Sequence, residues 1–378
     1  MIATLLFAAA LSSAQIHAID AAAEAALHER HIPSVVIEVD RDGKRVFAKA
    51  YGYRNVGESL PANVDTTYQY GSITKQFTAM GIFLLAQDGK LDLHADIGTW
   101  FPKFAHRGIT VENLLDHTSG VPDLINDGGP EFMQKYAGLP FTTPDDVIAW
   151  AEDKPLLFPV GTKAQYSNTG YLLLGKIIQK VSGQSLDAFF ASRIFRPLGM
   201  NTAHGYQMLR VQPNVAVGYI LWNKDLDALD PTGSQGARNG ELAYALPWNM
   251  RNADAAGYLV GEAADLQTWD DALLDGKLLH GTWRTKYFTP GKLRNGERAY
   301  AGAENPGKSR PSYLYGGLAD FTQDGHLVYG ANGGTAGFAS FTATIPDMHI
   351  AVTTLTNLGY ANNKLLTTPV LDAIITTK

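Results

Sequence analysis

The chain contains no cysteine, which excludes disulfides, thiolate nucleophiles and cysteine-ligated metals, and fits either side of a membrane. It has no run of about 18 apolar residues, so no membrane span is expected and a soluble protein is. No His-Glu-x-x-His occurs, and His94 and His106 lie too far apart for a helical zinc pair, so no metal is expected. Walker and Gly-x-Gly-x-x-Gly loops are missing, and no cofactor is implied. The Gly-x-Ser-x-Gly elbow is missing too, which argues against a Ser-His-Asp triad on an α/β-hydrolase sheet. Strong charge of either sign is also lacking. A net charge of −6, spread without like-charge blocks, gives no reason to expect nucleic acid or an anionic membrane as partner.

What is present is the balance of a globular protein. Apolar residues make up 45% and charged residues 18% of 378, enough for one large domain or two intimately joined ones. Residues 1–14 form a short apolar run ending in Ser12-Ser13-Ala14, a small-x-small pattern before Gln15. It reads as a signal peptide and implies a secreted or periplasmic protein, although the n-region has no lysine or arginine. The same residues also read as an apolar start to the first helix.

A helix is expected from Ile19 to His31, closed by Pro33. Val35–Val39 and Val46–Tyr51 read as strands around an Asp42-Gly43 hairpin, and Thr67–Tyr70 as a third strand leading into Gly71-Ser72. From Ser72 the period becomes helical: Ile73, Phe77, Met80 and Leu84 form one apolar stripe, and Asp88-Gly89 stops it. Helical patterns then dominate, at Asp145–Ala151, Gly170–Val181, Leu186–Ile194 and Asp265–Leu274. Loops at 126–130 and 231–234 separate some of them. Strand character returns at His326–Tyr329, Gly337–Thr344 and His349–Thr356, and a closing helix interrupted by Pro369 ends the chain. The expected fold is therefore mixed α/β (α+β): an antiparallel sheet built from 15–90 and 250–378, flanked by terminal helices. An all-helical subdomain, 91–249, is inserted between the two sets of strands. Ser72 falls at their junction, where clefts bind ligands.

Ser72 and Lys75 form the single Ser-x-x-Lys of the chain. Residues three apart on a helix share a face, so the hydroxyl and the amine can meet. A serine needs a base, and lysine serves only when neutral, which burial near a helix N-terminus favours. The N–H groups of that first turn are oriented to hold an oxyanion. By itself the motif also fits a serine cap with a solvated lysine one turn on. A Tyr-x-Asn triplet downstream adds to the catalytic reading. Of three, only Tyr166-Ser167-Asn168 follows the nucleophile within the helical section. Tyr166 can relay a proton and Asn168 can bind the lysine or a substrate amide; equally, Tyr166 can be a core tyrosine.

These stretches resemble the serine β-lactamase and penicillin-binding superfamily, in its class C-like branch of esterases, D-amino-acid peptidases and β-lactamase-related proteins. The matches are 71–77 (GSITKQF), 114–122 (LLDHTSGVP), 161–171 around Tyr166, 197–202 (PLGMNT), Ala255–Tyr258 with Asp265-Leu266, and 333–338 (GGTAGF). They run in family order from about residue 30 to 360. The resemblance implies an α/β sandwich with a helical subdomain, an acyl-enzyme on Ser72, Lys75 as base and Tyr166 as proton shuttle. It implies Asn168 and Asn332 in substrate positioning and Gly334 as the second oxyanion donor beside Ser72. His117 reads as a loop-ordering residue. Tyr70, Trp248 and Tyr258 are candidates for an apolar acyl pocket or for the core.

One motif departs from the family. The third motif, Lys-Thr-Gly or His-x-Gly, aligns with Ala331-Asn332-Gly333, so Ala331 replaces the cation. That cation normally helps bind a substrate carboxylate. Its loss implies a small-molecule or peptide acyl substrate that is uncharged, an ester or capped amide, rather than a D-Ala-D-Ala peptide or a penicillin. The alternative is a slow or non-turning-over penicillin-binding sensor on the same scaffold. The sequence does not specify oligomeric state.

Overall fold

The computed structural model describes residues 10–127, 143–207, 212–223, 240–245, 250–301, 310–359 and 364–376. Eight strands form one antiparallel sheet: β1 (Ser34–Arg41), β2 (Lys44–Asn55), β3 (Leu60–Pro61), β4 (Ser312–Tyr313), β5 (Ala319–Gln323), β6 (His326–Gly334), β7 (Ala339–Ile345) and β8 (Ile350–Thr356), in the order β3-β2-β1-β8-β7-β6-β5-β4. The two ends of the chain meet where β1 pairs with β8, Val35 opposite Thr356 and Arg41 opposite Ile350. Asp42 and Gly43 turn β1 into β2 with φ of 53° and 67°. Both central residues of a two-residue hairpin of this hand need positive φ, which Asp-Gly supplies.

Strands β1, β7 and β8 are buried along nearly their whole length, because helices cover both faces of the sheet. On one face lie α1 (Ser13–Arg30) and α5 (Lys364–Ile375), whose Ile19, Ala23, Val370 and Ile374 pack on Val35, Ile37 and Val352. On the other lies α4 (Ala263–Asp275), and α2 (Thr74–Gln87) and α3 (Asn168–Ser182) join it in one apolar cluster that takes in Phe77, Leu173, Trp269 and Leu355. Phe77 and Trp269 stack at 4.2 Å between centroids.

Several local features differ from the expectations. Helix α1 begins at Ser13, six residues earlier than its apolar pattern indicates, because Ser12 and Gln15 form a reciprocal capping box. Helix α2 is buried from Thr74 to Ala86 on every side, since α3 and the short helices Leu186–Phe190, Asp254–Gly257 and Gly281–Tyr287 pack around it and Trp269 of α4 stacks on Phe77, and its single apolar stripe understates that. Pro369 lies inside α5 without ending it; one backbone bond is lost there, and burial of Val370, Leu371 and Ile374 holds the rest. The strand before Ser72 shortens to Tyr68–Gln69 and joins Leu259–Gly261 and His204–Gly205 in a separate small sheet. Residues 91–249 thus carry short strands (also Tyr219–Leu221 and Leu242–Tyr244) among their helices. The loops at 128–130 and 231–234, and Trp248, fall outside the described residues.

Candidate active site

Ser72 sits in a 3-10 turn, Gly71–Ile73, that runs into α2, and Lys75 is the second residue of the α-helix proper. The turn is clamped from two directions. The Tyr70 amide donates to the Leu259 carbonyl at 2.9 Å, and the Leu259 amide to Thr74 Oγ1 at 3.1 Å. On the sheet side, Ser340 Oγ donates to the Tyr70 carbonyl at 2.8 Å. Gly71 has φ of 54°, and a Cβ there would stand 2.7 Å from the Gly334 nitrogen; one on Gly333 would stand 2.0 Å from the Tyr70 oxygen. Only glycines allow this approach of the nucleophile's turn to the end of β6.

The sheet leaves that end of β6 open. Strand β5 pairs with β6 only as far as Gly330, opposite Ala319, so, among the described residues, 331–334 pair on one side alone, with β7. The Thr335 amide bonds the Phe338 carbonyl at 2.9 Å. In an antiparallel ladder bonded and non-bonded pairs alternate, so the Gly334–Ala339 pair is non-bonded and the Gly334 amide turns outward, toward Gly71. It and the Ser72 amide belong to the two backbone segments that meet there.

Lys75 is 2% exposed. Its Nζ lies 3.1 Å from Ser72 Oγ, 2.9 Å from Asn168 Oδ1 and 2.6 Å from the Ala256 carbonyl. Burial lowers its pKa to about 7, against an opposing pull from Asp123. A neutral amine has two N–H bonds and one lone pair. Asn168 Oδ1 and the Ala256 oxygen can only accept, so they take both N–H bonds and leave the lone pair for the Ser72 hydroxyl. Asn168 cannot swap its amide ends, because its Nδ2 and its backbone N–H both donate to Asp123 Oδ2, at 2.9 and 3.1 Å.

The Tyr166 hydroxyl donates to Ser72 Oγ at 2.6 Å, and the Tyr166 ring lies 4.7 Å from Lys75 Nζ. Burial pushes the phenol above its ordinary pKa, so it stays protonated. Tyr166 is held by His117, whose ring packs on it at 4.7 Å and on Tyr313 at 4.5 Å. The His117 Nδ1 accepts the Ser167 amide at 3.1 Å, which places its proton on Nε2. Burial, then the Lys75 charge, lowers His117 to about 3, so it stays neutral. Its backbone holds a positive φ of 60°.

Ser72, Lys75, Tyr166 and Asn168 therefore converge, and the Gly334 amide faces their turn. Asn332 is exposed on the open stretch of β6. A cleft of about 580 Å³ opens over Ser72, Lys75, His117 and Tyr166 and is lined further by Tyr313, Ala331 and Asn332. Lys75 is the one lysine or arginine among its described lining residues, so none of these replaces the cation that Ala331 lacks. Tyr70 and Tyr258 do not reach it: both are fully buried, with hydroxyls on the Glu262 carbonyl and Asp187. Asp123 and the Ala256 carbonyl were not legible as site groups, although Asp123 directly follows the Leu114–Pro122 stretch. Among the described residues no three metal-ligating side chains cluster, and no helix is long and apolar enough to cross a membrane.

Comparisons with known proteins place the chain in a family. The beta-lactamase family model matches residues 19–375. A penicillin-binding protein of Bacillus subtilis (strain 168) is 29% identical over 286 residues, 72% of this chain and 59% of that one. Protein flp of Staphylococcus aureus (strain MRSA252) is 33% identical over 209 residues, 54% of this chain and 41% of its own length. The chain thus matches roughly half the length of these curated relatives. Among solved structures, the octameric penicillin-binding protein homologue from Pyrococcus abyssi has a TM-score of 0.78 at 28% identity, covering 95% of this chain and 77% of that one. D-amino acid amidase from Ochrobactrum anthropi SV3 has a TM-score of 0.79 at 24% identity, with 95% and 98% covered, and shares the fold. On the match across residues 19–375, this chain belongs to the beta-lactamase family.

Proposed function

We propose that the protein is a serine hydrolase that works through an acyl-enzyme on Ser72. The observation that carries this reading is the Lys75 amine, buried, lowered to about 7, and left by Asn168 and Ala256 with its lone pair toward Ser72 Oγ. Lys75 takes the Ser72 proton as Oγ attacks the substrate carbonyl, and the Ser72 and Gly334 amides bind the oxyanion. One such donor is worth about 3 kcal/mol of barrier. As the carbonyl carbon releases its leaving atom, Tyr166 gives that atom a proton and regains one from Lys75. Water then attacks the acyl carbon, the acyl–Oγ bond breaks, and the water proton passes through the same pair to Ser72 Oγ as the acid leaves.

Ala331 narrows the substrate class. With no lysine or arginine besides Lys75 among the described lining residues to meet a carboxylate, the site suits neutral esters and amides. Hydrolases of this fold are on record: D-amino acid amidase, and EstCE1, described as a hydrolase with promiscuous acyltransferase activity. Export with removal of residues 1–14 is part of the proposal and rests on the Ser12-Ser13-Ala14 pattern. The same alanine favours a second reading, in which Ser72 is acylated slowly and does not turn over. A fluorophosphonate and a penicillin, each followed by intact mass, with a panel of esters, amides and β-lactams, separate the two. Steady turnover of a neutral ester supports the hydrolase. A burst without turnover supports the sensor, and failure of Ser72 to label removes both.

A further inference from the structure

The cleft does not end at the catalytic residues. Beyond Tyr313 it continues between the outer strands of the sheet and α5, along Phe321, Gly330, Phe341, Thr367, Thr368 and Leu371. The register explains the trough. Tyr313 lies opposite Ala319, Ala319 opposite Gly330, and Asn332 opposite Phe341. Cross-strand partners share a face, as do residues two apart on one strand. Tyr313, Ala319, Phe321, Gly330 and Phe341 therefore project to the same side, under α5. Ala319 and Gly330 are small, and over Gly330 the Phe321 and Phe341 rings close in, so these two rings wall the trough. A Cβ on Gly330 would meet Phe321 Cε1 and the Thr342 carbonyl oxygen, each at 3.2 Å. At the far end Gln323 donates to Asp372 and gives the trough a polar limit.

The geometry points to a medium-length alkyl group on the alcohol side of an ester as the occupant of this trough. The inference rests on the hydrolase reading and adds the substrate class. Tyr166 must protonate the leaving oxygen, so the alcohol lies against Tyr166 and its neighbour Tyr313, and the trough opens from that wall. No lysine or arginine besides Lys75 lines it among the described residues, and Phe321, Phe341 and Leu371 give it apolar walls beside the uncharged Thr367 and Thr368. In the step, the Ser72 Oγ–acyl bond forms and the acyl–alkoxy bond breaks. The Tyr166 proton goes to the alkoxy oxygen, and the Lys75 ammonium restores the phenol.

The test uses two ester series on the full chain. One holds acetate and lengthens the alcohol from methyl to octyl, and the other holds methanol and lengthens the acid. The inference expects kcat/KM to rise roughly three- to fourfold per alcohol methylene until the trough fills. It expects no comparable rise on the acid side. Thr368→Trp and, as a second variant checked for folding by melting, Gly330→Val should flatten the alcohol series. A rise confined to the acid side, or an alcohol series unchanged in both folded variants, overturns it. A readout free of catalysis accompanies this: calorimetric binding of 1-octanol to Ser72→Ala. Saturable binding, weakened at least about tenfold by adding Thr368→Trp, supports the trough, and no saturable binding overturns it. Failure of Ser72 to label would overturn the hydrolase reading and leave this binding result standing.

Discussion

The Tyr166 hydroxyl stands 2.6 Å from Ser72 Oγ, closer than the 3.1 Å from Lys75 Nζ to the same atom. The phenol is a protonated donor, while the amine is the group with a lone pair to spare. Two proton roles are thus divided between two side chains that meet at one oxygen.

Tyr166→Phe removes the donor and keeps the ring against His117 and Tyr313. It is expected to lower kcat by about 10²- to 10³-fold with little change in KM. Ser72→Ala is expected to leave under about 1% of turnover with an unchanged melting temperature. Steady-state kinetics beside thermal melts check both. Equal turnover for Tyr166→Phe and the wild type would remove the phenol from the mechanism.

Asp123 reaches Lys75 through Asn168 and raises its pKa by its charge. Replacing it by asparagine removes that pull, so the midpoint of the kcat/KM profile should move below pH 7. A purely structural role would lower the rate without moving the midpoint. A pH-rate profile of Asp123→Asn distinguishes the two outcomes.

Ala331→Lys restores a cation on the open edge of β6. It should raise the acylation rate by a penicillin at least about fivefold, the equivalent of a ~1 kcal/mol charge pair. Neutral esters should gain nothing. An unchanged penicillin rate would show that this position does not meet a substrate carboxylate.

N-terminal sequencing of protein recovered from the cell exterior is expected to begin at Gln15. That cut removes Ser12, whose capping box starts α1, at a cost of about 1 kcal/mol. A first residue upstream of Ser12 would contradict the proposed processing.

How much of this was legible in the sequence follows from chain distance. Ser72 and Lys75 are local, one helical turn apart, and the Asp42-Gly43 hairpin is local too. Tyr166 and Asn168 were legible because their spacing is itself a motif. The contacts of His117 with Ser167 and of Asp123 with Asn168 span 50 and 45 residues and leave no periodic trace. The Ala256 carbonyl has no side-chain signature at all. Tyr70 and Tyr258 lie in the core, the commoner place for an aromatic, rather than in an acyl pocket, and their partners Glu262 and Asp187 hold them there. The start of α1 was missed because a cap, rather than apolar spacing, sets it.

The central claim is that the Lys75 amine is uncharged when it faces the Ser72 hydroxyl. The rate of fluorophosphonate labelling of Ser72, followed by intact mass between pH 5 and 10, tests it most directly. The neutral amine accumulates above its pKa, so labelling should rise with pH, reach half its maximum near pH 7, and plateau above. A rate that is flat, or that rises only in the ordinary lysine range near pH 10, would contradict it.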